Sequence, residues 1–458
     1  MYTFIFDIGK TNIKGQVLDD RGSPVWSRAT RNRSEAGADY LQFDIDGIWN
    51  WLLQTLSEAA AGFSISAINV STHGACAVLL DVAGELALPV MDYEFDGLVV
   101  QGENYSAVRP PFAQTLSPGL AAGLNLGRQL WWLKCRFPRQ FEQVSAILMY
   151  PQFWTWKLTG IAVNEATSLG CHTDLWEPAA GRYSSLVRAL DIERQLGSVV
   201  SAVSPVGSLS TELAQSLGLS ASCRVYPGVH DSNASFARHL YCAPEERFTV
   251  ISTGTWIVCM CNNGSLDALS DTRDMLANVS VLGQPIACAR FMGGREFELI
   301  SREAAQPGEA AACAADIEGL VKGGVFALPP FERGSGPFRH AGAAGGRIVG
   351  GEGSAALATL YLALMIDYEL DLLRAGGTVL FGSIASKNPL LCALVAQLRP
   401  DLLLQSVDDA ASTITGAWCL TRWRVPAPAG FGDRSAVKPT TITGLEAYRK
   451  EWRACVEV

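Results

Sequence analysis

Asp231 sits in the stretch YPGVHDSNASF, which runs from Tyr226 to Phe236. A β-prone run, Cys223 to Tyr226, leads into Pro227-Gly228, and a helical pattern from Asn233 to Leu240 leads out, which predicts a strand-to-helix turn at Asp231. Free backbone N–H groups and the positive end of a helix dipole favour an ionised carboxylate there, as suits an aspartate that accepts a proton. Asp is also a favoured N-cap, and taken alone capping explains the residue more readily. Two other stretches change that balance. Gly9-Lys10-Thr11-Asn12 and Thr253-Gly254-Thr255 are glycine- and hydroxyl-bearing tips, each between two β-prone runs. Either alone passes for an ordinary hairpin turn. Together with Asp231 they meet the needs of phosphoryl transfer: backbone N–H donors around phosphates, carboxylate support for a metal, and a base for the accepting hydroxyl. In that reading Lys14 adds positive charge, and Asp7, ending the first strand, holds Mg²⁺ directly or through water, with Asp231 the second carboxylate on the metal side. Asp231 is the general base.

These residues need elements to hold them. Tyr2–Phe6 and Ile13–Leu18 flank the first tip, and a turn over Asp19–Pro24 leads to a third strand, giving a β-meander. Ile48, Leu52, Leu56 and Ala60 recur every four residues and predict a core-facing helix. Ile65–Ser71 reads as a buried strand ending in Thr72-His73-Gly74, with Ala77–Asp81 as another. Residues 110–160 read as helical and aromatic-rich, with Trp131, Trp132, Trp154 and Trp156 as packing residues. Asn164–Trp176 reads as a polar loop, in which His172 and Asp174 are expected to be turn and cap residues. Phe248–Ser252 and Trp256–Cys261 around the second tip repeat the opening hairpin, which suggests duplication. A long apolar helix over Ser354–Leu373 and a strand over Thr378–Phe381 follow. Asn388 as N-cap and Pro389 at the first helical position then announce a helix over Leu390–Leu398. The domain boundary is expected near residues 240–247, dividing the chain into 1–242 and 243–458.

The bulk composition narrows the function classes. A chain of 458 residues, 48% hydrophobic and 18% charged, has material for two large cores. A formal net charge of -9 argues against nucleic acid or an anionic membrane surface as the main partner. Twelve scattered cysteines with no CxxC pair or zinc knuckle fit reduced thiols in a cytoplasm. The most apolar helix is interrupted by Asp367, Glu369 and Asp371, so no membrane span is expected, and Tyr2–Asp7 reads as a strand rather than a signal peptide. GxxxxGK[ST], GxGxxG after a strand and G-x-S-x-G are all missing, which excludes a P-loop enzyme, a dinucleotide fold and an α/β hydrolase.

With these segments in view, the chain resembles the FGGY carbohydrate kinases of the actin-like ATPase superfamily. DIGKTNIK is similar to the family's first phosphate motif, STGTW to its second, YPGVHDSNAS to its catalytic-aspartate segment and LFGSIASKNP to its adenosine loop; LTG at Leu158–Gly160 and ALPPFERGSGPF at Ala327–Phe338 also match in place. Within the family the likeness is to the L-rhamnulokinase and L-fuculokinase group, carried by STHGACAVLLD and STGTW. The resemblance implies an α/β fold of two ribonuclease-H-like domains with ATP, Mg²⁺ and a small sugar bound in a cleft between them, in a monomer or homodimer. It further implies nucleotide contacts from Gly9, Lys10, Thr11, Asn12, Lys14, Thr253, Gly254, Thr255, Gly382, Ser383 and Asn388. Sugar contacts are expected from His73, Gly74, Asp92, Glu94 and His230. There are departures: Gly382 stands where relatives carry a run of glycines, Gln129 replaces a common lysine, and THGAC has His73, Ala75 and Cys76 where relatives often place an aromatic or acidic residue. The alternatives are a superfamily member that uses water as acceptor, and a sugar- and nucleotide-binding sensor of the same fold with weak catalysis.

Overall fold

A computed structural model describes residues 2–102, 104–301, 312–340, 345–382, 384–407 and 412–457. Strand β1 (Tyr2–Ile8) runs antiparallel to β2 (Asn12–Leu18), which pairs with β3 (Pro24–Arg31) in the same sense, so the opening of the chain is the meander expected from its alternation of apolar runs and turns. Helix α1 (Ile45–Ala60) then crosses over. Asp44 caps it by accepting from the Gly47 amide at 2.8 Å, and Ile48, Leu52, Leu56 and Ala59 are buried along one stripe. The crossover delivers β4 (Ile65–Thr72) parallel to β1. Two short pieces, β5 (Gly207–Ser208) and β6 (Arg224–Val225), extend the sheet to the order β5-β6-β4-β1-β2-β3, and β7 (Val229–His230) also pairs with β4. Helix α2 (Asp231–Cys242) follows β7 without a gap.

The second half repeats this plan. Strand β8 (Phe248–Thr253) lies between antiparallel β9 (Ile257–Cys261) and parallel β12 (Thr378–Phe381), as β1 lies between β2 and β4. Between β9 and β12 come β10 (Met275–Val279), β11 (Pro285–Phe291), helix α3 (Gly293–Ile300) and helix α4 (Ala355–Leu372). Helix α5 (Pro389–Leu398) leads to β13 (Leu403–Val407), and β14 (Arg434–Ala436) closes the order β10-β11-β9-β8-β12-β13-β14. Helix α4 is apolar on every side and buried, and its one deeply buried aspartate, Asp367, is held by Arg399, Arg449 and Arg453. No described helix is long and apolar enough to cross a membrane.

The chain divides into two compact units that are not simple halves. One comprises Met1–Pro244, Ala277–Pro285 and Ala411–Phe431, and the other Glu245–Leu276, Ile286–Ala410 and Gly432–Val458. Helix α6 (Ser412–Leu420) therefore belongs with the first unit although it follows the second sheet in sequence. A second difference lies in residues 110–160, read as helical throughout. Ala146–Met149 is a strand, antiparallel to Ala77–Leu80, because a four-residue apolar run carries no period of its own and takes the conformation its partner offers. Trp131, Trp132 and Trp154 are buried and Trp156 is half-buried against Phe153, as packing residues should be. His172 and Asp174 both adopt the left-handed conformation of a turn, but their side chains are not local caps. Asp174 is ion-paired to Arg109 at 2.9 Å and accepts from the Tyr105 hydroxyl at 2.8 Å, while His172 Nδ1 meets the Leu124 carbonyl at 2.7 Å. The loop is thereby anchored to a segment some fifty to seventy residues earlier in the sequence.

Candidate active site

Gly228 takes φ +84°, with Pro151 so close that an added Cβ would lie 2.7 Å from it; this turn sends the chain into β7 beside Ser71 and Thr72. Asp231 is then the first residue of α2. The N-cap is His230, whose side chain makes no cap bond, so capping does not account for Asp231. Asp231 Oδ1 accepts from the Ser232 amide at 2.6 Å and the Ser232 hydroxyl at 3.2 Å, and lies 3.2 Å from His230 Nε2. Oδ2 has no hydrogen-bond partner among the described residues. One oxygen is tethered and the other left to react, at a helix N-terminus with one-third of the side chain exposed.

Asp7 stands in β1 between Lys14 of β2 and Ser71 of β4. Burial, and then the neighbouring Asp231 carboxylate, push its carboxyl up to about 7, against the pull of Lys14. No hydrogen bond to this carboxyl occurs among the described residues. Two interacting carboxylates with an incompletely compensated charge suit a divalent cation that takes few protein ligands and keeps its waters, as Mg²⁺ does. No cluster of three or more acidic, histidine or cysteine ligands exists among the described residues.

Thr11 and Asn12 are exposed at the first tip, which closes through the Gly9 amide on the Asn12 carbonyl at 2.9 Å; Asn32 braces it by donating to the Gly9 carbonyl at 2.9 Å. Lys14 is exposed beside it. Lys10 differs from expectation. Its ammonium is turned away to Asp92, to Ser34 Oγ at 3.1 Å and to Glu94 at 3.2 Å, and it sits over the rings of Phe43 and Tyr93. In the second unit, Gly254 and Thr255 are exposed, and the N-terminus of α3 is set on this tip: the Gly294 amide donates to the Thr255 carbonyl at 3.2 Å, and a Cβ on Gly294 would lie 2.3 Å from the Gly254 carbonyl oxygen. The helix end thus adds amides beside Thr253, Gly254 and Thr255, in a Gly-Gly pair the sequence reading passed over. Gly382 is buried and bonded to the Ala385 amide, and Ser383 lies outside the described residues. Asn388 is committed twice, capping α5 through the Leu391 amide at 3.0 Å and donating to Thr359 Oγ1 at 3.2 Å.

Of the expected sugar contacts, His73 is buried in an aromatic box of Phe43, Tyr93 and Tyr150. Its Nδ1 donates to the Gly74 carbonyl at 2.9 Å, and Nε2 is left without a partner. Burial lowers its pKa, so the ring is neutral and Nε2 is an acceptor. Asp92 is a correction: it has no exposed surface, and its oxygens are taken by Lys10, Ser34 and the Glu94 amide at 2.9 Å. Burial alone would raise its pKa, but these donors hold it below the usual carboxylate range. Asp92 is thus committed to Lys10, Ser34 and the Glu94 amide, whereas Glu94 is exposed. Gly74 is needed small, since a Cβ there would lie 2.9 Å from His230 Nε2. His230 is buried, with Nδ1 on Asn233 at 3.0 Å and Nε2 3.5 Å from Cys171 Sγ and 3.2 Å from Asp231 Oδ1, so both nitrogens are engaged. Burial lowers its pKa against the pull of Asp231, leaving a neutral imidazole.

The N-terminal domain of the FGGY family of carbohydrate kinases matches residues 2–237, and the family's C-terminal domain matches residues 245–428. The chain belongs to the FGGY family of carbohydrate kinases. Among FGGY relatives, the L-fuculokinase of Salmonella typhi is 28% identical over 271 residues, 57% of each chain, and the rhamnulokinase of Oceanobacillus iheyensis is 24% identical over 48% of this chain and 46% of its own. The chain thus spans about half the length of the curated relatives it matches. The crystal structure of a carbohydrate kinase from Novosphingobium aromaticivorans is 33% identical, with a TM-score of 0.90 over 99% of this chain and 98% of that one. Two sheets of matching order are the two-domain actin-like ATPase fold of FGGY proteins. Residues that the motifs did not single out are Ser34, Tyr93, Thr167, Asn233 and the Gly293-Gly294 pair. Asn233 was visible in HDSN, but its target was not.

Proposed function

We propose that this chain transfers the γ-phosphate of ATP to a hydroxyl of a small sugar, a ketose such as L-rhamnulose or L-fuculose, giving a sugar phosphate and ADP. The observation that carries this is the asymmetry of Asp231, with Oδ1 tethered and Oδ2 unpartnered. Oδ2 accepts the proton of the sugar hydroxyl as its oxygen attacks the γ-phosphorus and the bond to the departing ADP breaks. Asp7 and Asp231 would hold Mg²⁺, and the ion would supply neutralisation of the phosphate charge. The tips at Gly9–Asn12 and Thr253–Thr255 hold phosphates, with Lys14 adding charge. His73 Nε2 accepts from a sugar hydroxyl, which satisfies an otherwise orphaned buried atom. Asp7 and Asp231 are both present, which favours an active enzyme over a sensor. The names of the fuculo- and rhamnulokinase relatives support a deoxyketose.

A coupled ADP-release screen with Mg-ATP against ketoses, aldoses and polyols tests this reading. Turnover on a few ketoses is expected, falling by about a hundredfold or more in Asp231→Asn, at the scale of a general base. Turnover that Asp231→Asn leaves intact would refute the mechanism, and ATP binding with no turnover on any sugar would favour the sensor.

A further inference from the structure

His230 Nε2 and Nδ1 are not equivalent, and their neighbours decide which carries the proton. The Asn233 side-chain nitrogen lies 3.0 Å from Nδ1 and 3.4 Å from the Thr167 carbonyl oxygen. A carbonyl only accepts, so this end of the amide is the NH₂ group, and it donates to Nδ1 as well. A neutral imidazole has one N–H, which therefore sits on Nε2, 3.2 Å from Asp231 Oδ1. Thr167 is itself fixed: its amide donates to Glu165 Oε2 at 2.9 Å, its hydroxyl donates to the same oxygen, and that hydroxyl accepts from the His230 amide at 3.1 Å. Gly74 closes the space on one side of the ring, and on the other Cys171 Sγ, 3.5 Å from Nε2, is hydrogen-bonded to the same nitrogen that faces Asp231.

We infer that His230 is a positioning residue for the base: Asn233 and Thr167 lock it as the Nε2–H tautomer, and the positive edge of that N–H, shared between Cys171 and Asp231, attracts Oδ1 electrostatically so that Oδ2 faces the substrate hydroxyl. This rests on the reading of Asp231 as the base. It replaces the expectation that His230 contacts sugar, and it gives HDSN a physical logic, with the histidine beside the aspartate oriented by the asparagine one helical turn on.

The test combines a tautomer measurement with kinetics. In the intact protein labelled with ¹⁵N-histidine, long-range ¹H–¹⁵N spectra separate protonated from bare ring nitrogens, and His230→Gln assigns the signals among the five histidines. The expected spectrum has a protonated Nε2 and a bare Nδ1. Asn233→Asp keeps the shape but puts an acceptor at Nδ1; the proton moves to Nδ1, and kcat falls about tenfold while KM for the sugar changes less than about twofold, the signature of an interaction that matters in the transition state. His230→Gln, which offers an amide N–H in place of Nε2–H, retains more activity than His230→Leu. A wild-type spectrum with Nδ1 protonated would overturn the inference even if no variant folds. Unchanged kcat in Asn233→Asp, alongside an inactive Asp231→Asn, would overturn it and leave the base reading standing. An active Asp231→Asn would remove both.

Discussion

Asp7 takes up a proton that few aspartates hold near neutrality, because burial and the Asp231 charge both disfavour its ionised form. The unfolded chain releases this proton near pH 3.8 and the folded chain at about 7, so between those values the native state binds the extra proton. Stability from this group is therefore full below the lower value and is lost as pH rises through the upper one. Glu165, raised to about 7 by burial against the pull of the Thr167 hydroxyl and nearby amides, acts in the same direction. Asp7→Asn should flatten, without abolishing, the fall in melting temperature between pH 5 and 8, and adding Glu165→Gln should flatten it further. A slope unchanged in both variants would refute these assignments. Since Mg²⁺ needs the ionised carboxylate, apparent Mg²⁺ affinity in the same protein should weaken as pH falls below about 7, and titrations of Mg-dependent turnover at pH 6 and 8 measure it. Lys10 gives a second case. Removing its charge leaves Asp92 buried without its cation, so Lys10→Met should cost about 3 kcal/mol by denaturant unfolding, and Asp92→Asn in that background should recover part of it.

Between the residue and the whole chain, Asp231, the proposed base, is carried by a helix whose position depends on one close approach. Gly416 in α6 faces α2, and a Cβ on it would lie 1.7 Å from the Ala234 carbonyl oxygen, so only glycine lets the two helices meet. Ser235 adds hydroxyl bonds to Ser412 at 3.1 Å and Thr413 at 3.0 Å. Gly416→Val should force the helices apart, costing about 3 kcal/mol of stability. Because α2 begins at Asp231, kcat should fall as well; a variant with lower melting temperature but wild-type kcat would show that the base is held from β7 alone. The sequence explains half of this arrangement. The existence of α1 and the boundaries of α4 and α5 followed, to within a residue or so, from period, cap and proline, because those signals act within a few residues. The packing of α6 on α2 was not legible, since nothing local in Ser412–Leu420 says which helix it will meet. The burial of Asp92 was not legible for a related reason: VMDYEFDG has the polarity of a surface loop, and the cation that pairs with Asp92, Lys10, is eighty-two residues away. Likewise HDSN displayed Asp231 and its neighbours, while Thr167 and Glu165, which bond the His230 amide and one another, lay in a loop recognised only as polar.

At the scale of the molecule, the repeated sheet order would suggest two halves separable near residue 242, yet the first unit is completed by Ala411–Phe431. That return segment is part of its interior rather than an accessory. Trp418 is fully buried and donates to the Asp19 carbonyl at 3.1 Å, the buried Asn69 amide donates to the Ala417 carbonyl at 2.9 Å, and the Tyr226 and Tyr241 hydroxyls donate to the Thr421 and Val425 carbonyls at 3.0 and 2.6 Å. A fragment ending at Pro244 would expose the face of α2 that receives α6 and leave the Asn69 amide, next to the strand ends that bear the site, without its acceptor. Burying or stranding such groups costs about 1–3 kcal/mol each, against a total stability of only about 5–15 kcal/mol. Residues 1–244 expressed alone should therefore show no cooperative thermal transition, and should regain one when residues 245–458 are co-expressed as a separate chain. A fragment 1–244 that melts cooperatively within a few degrees of the intact protein would mean that the return segment is dispensable, and that the first ribonuclease-H-like unit is complete without it.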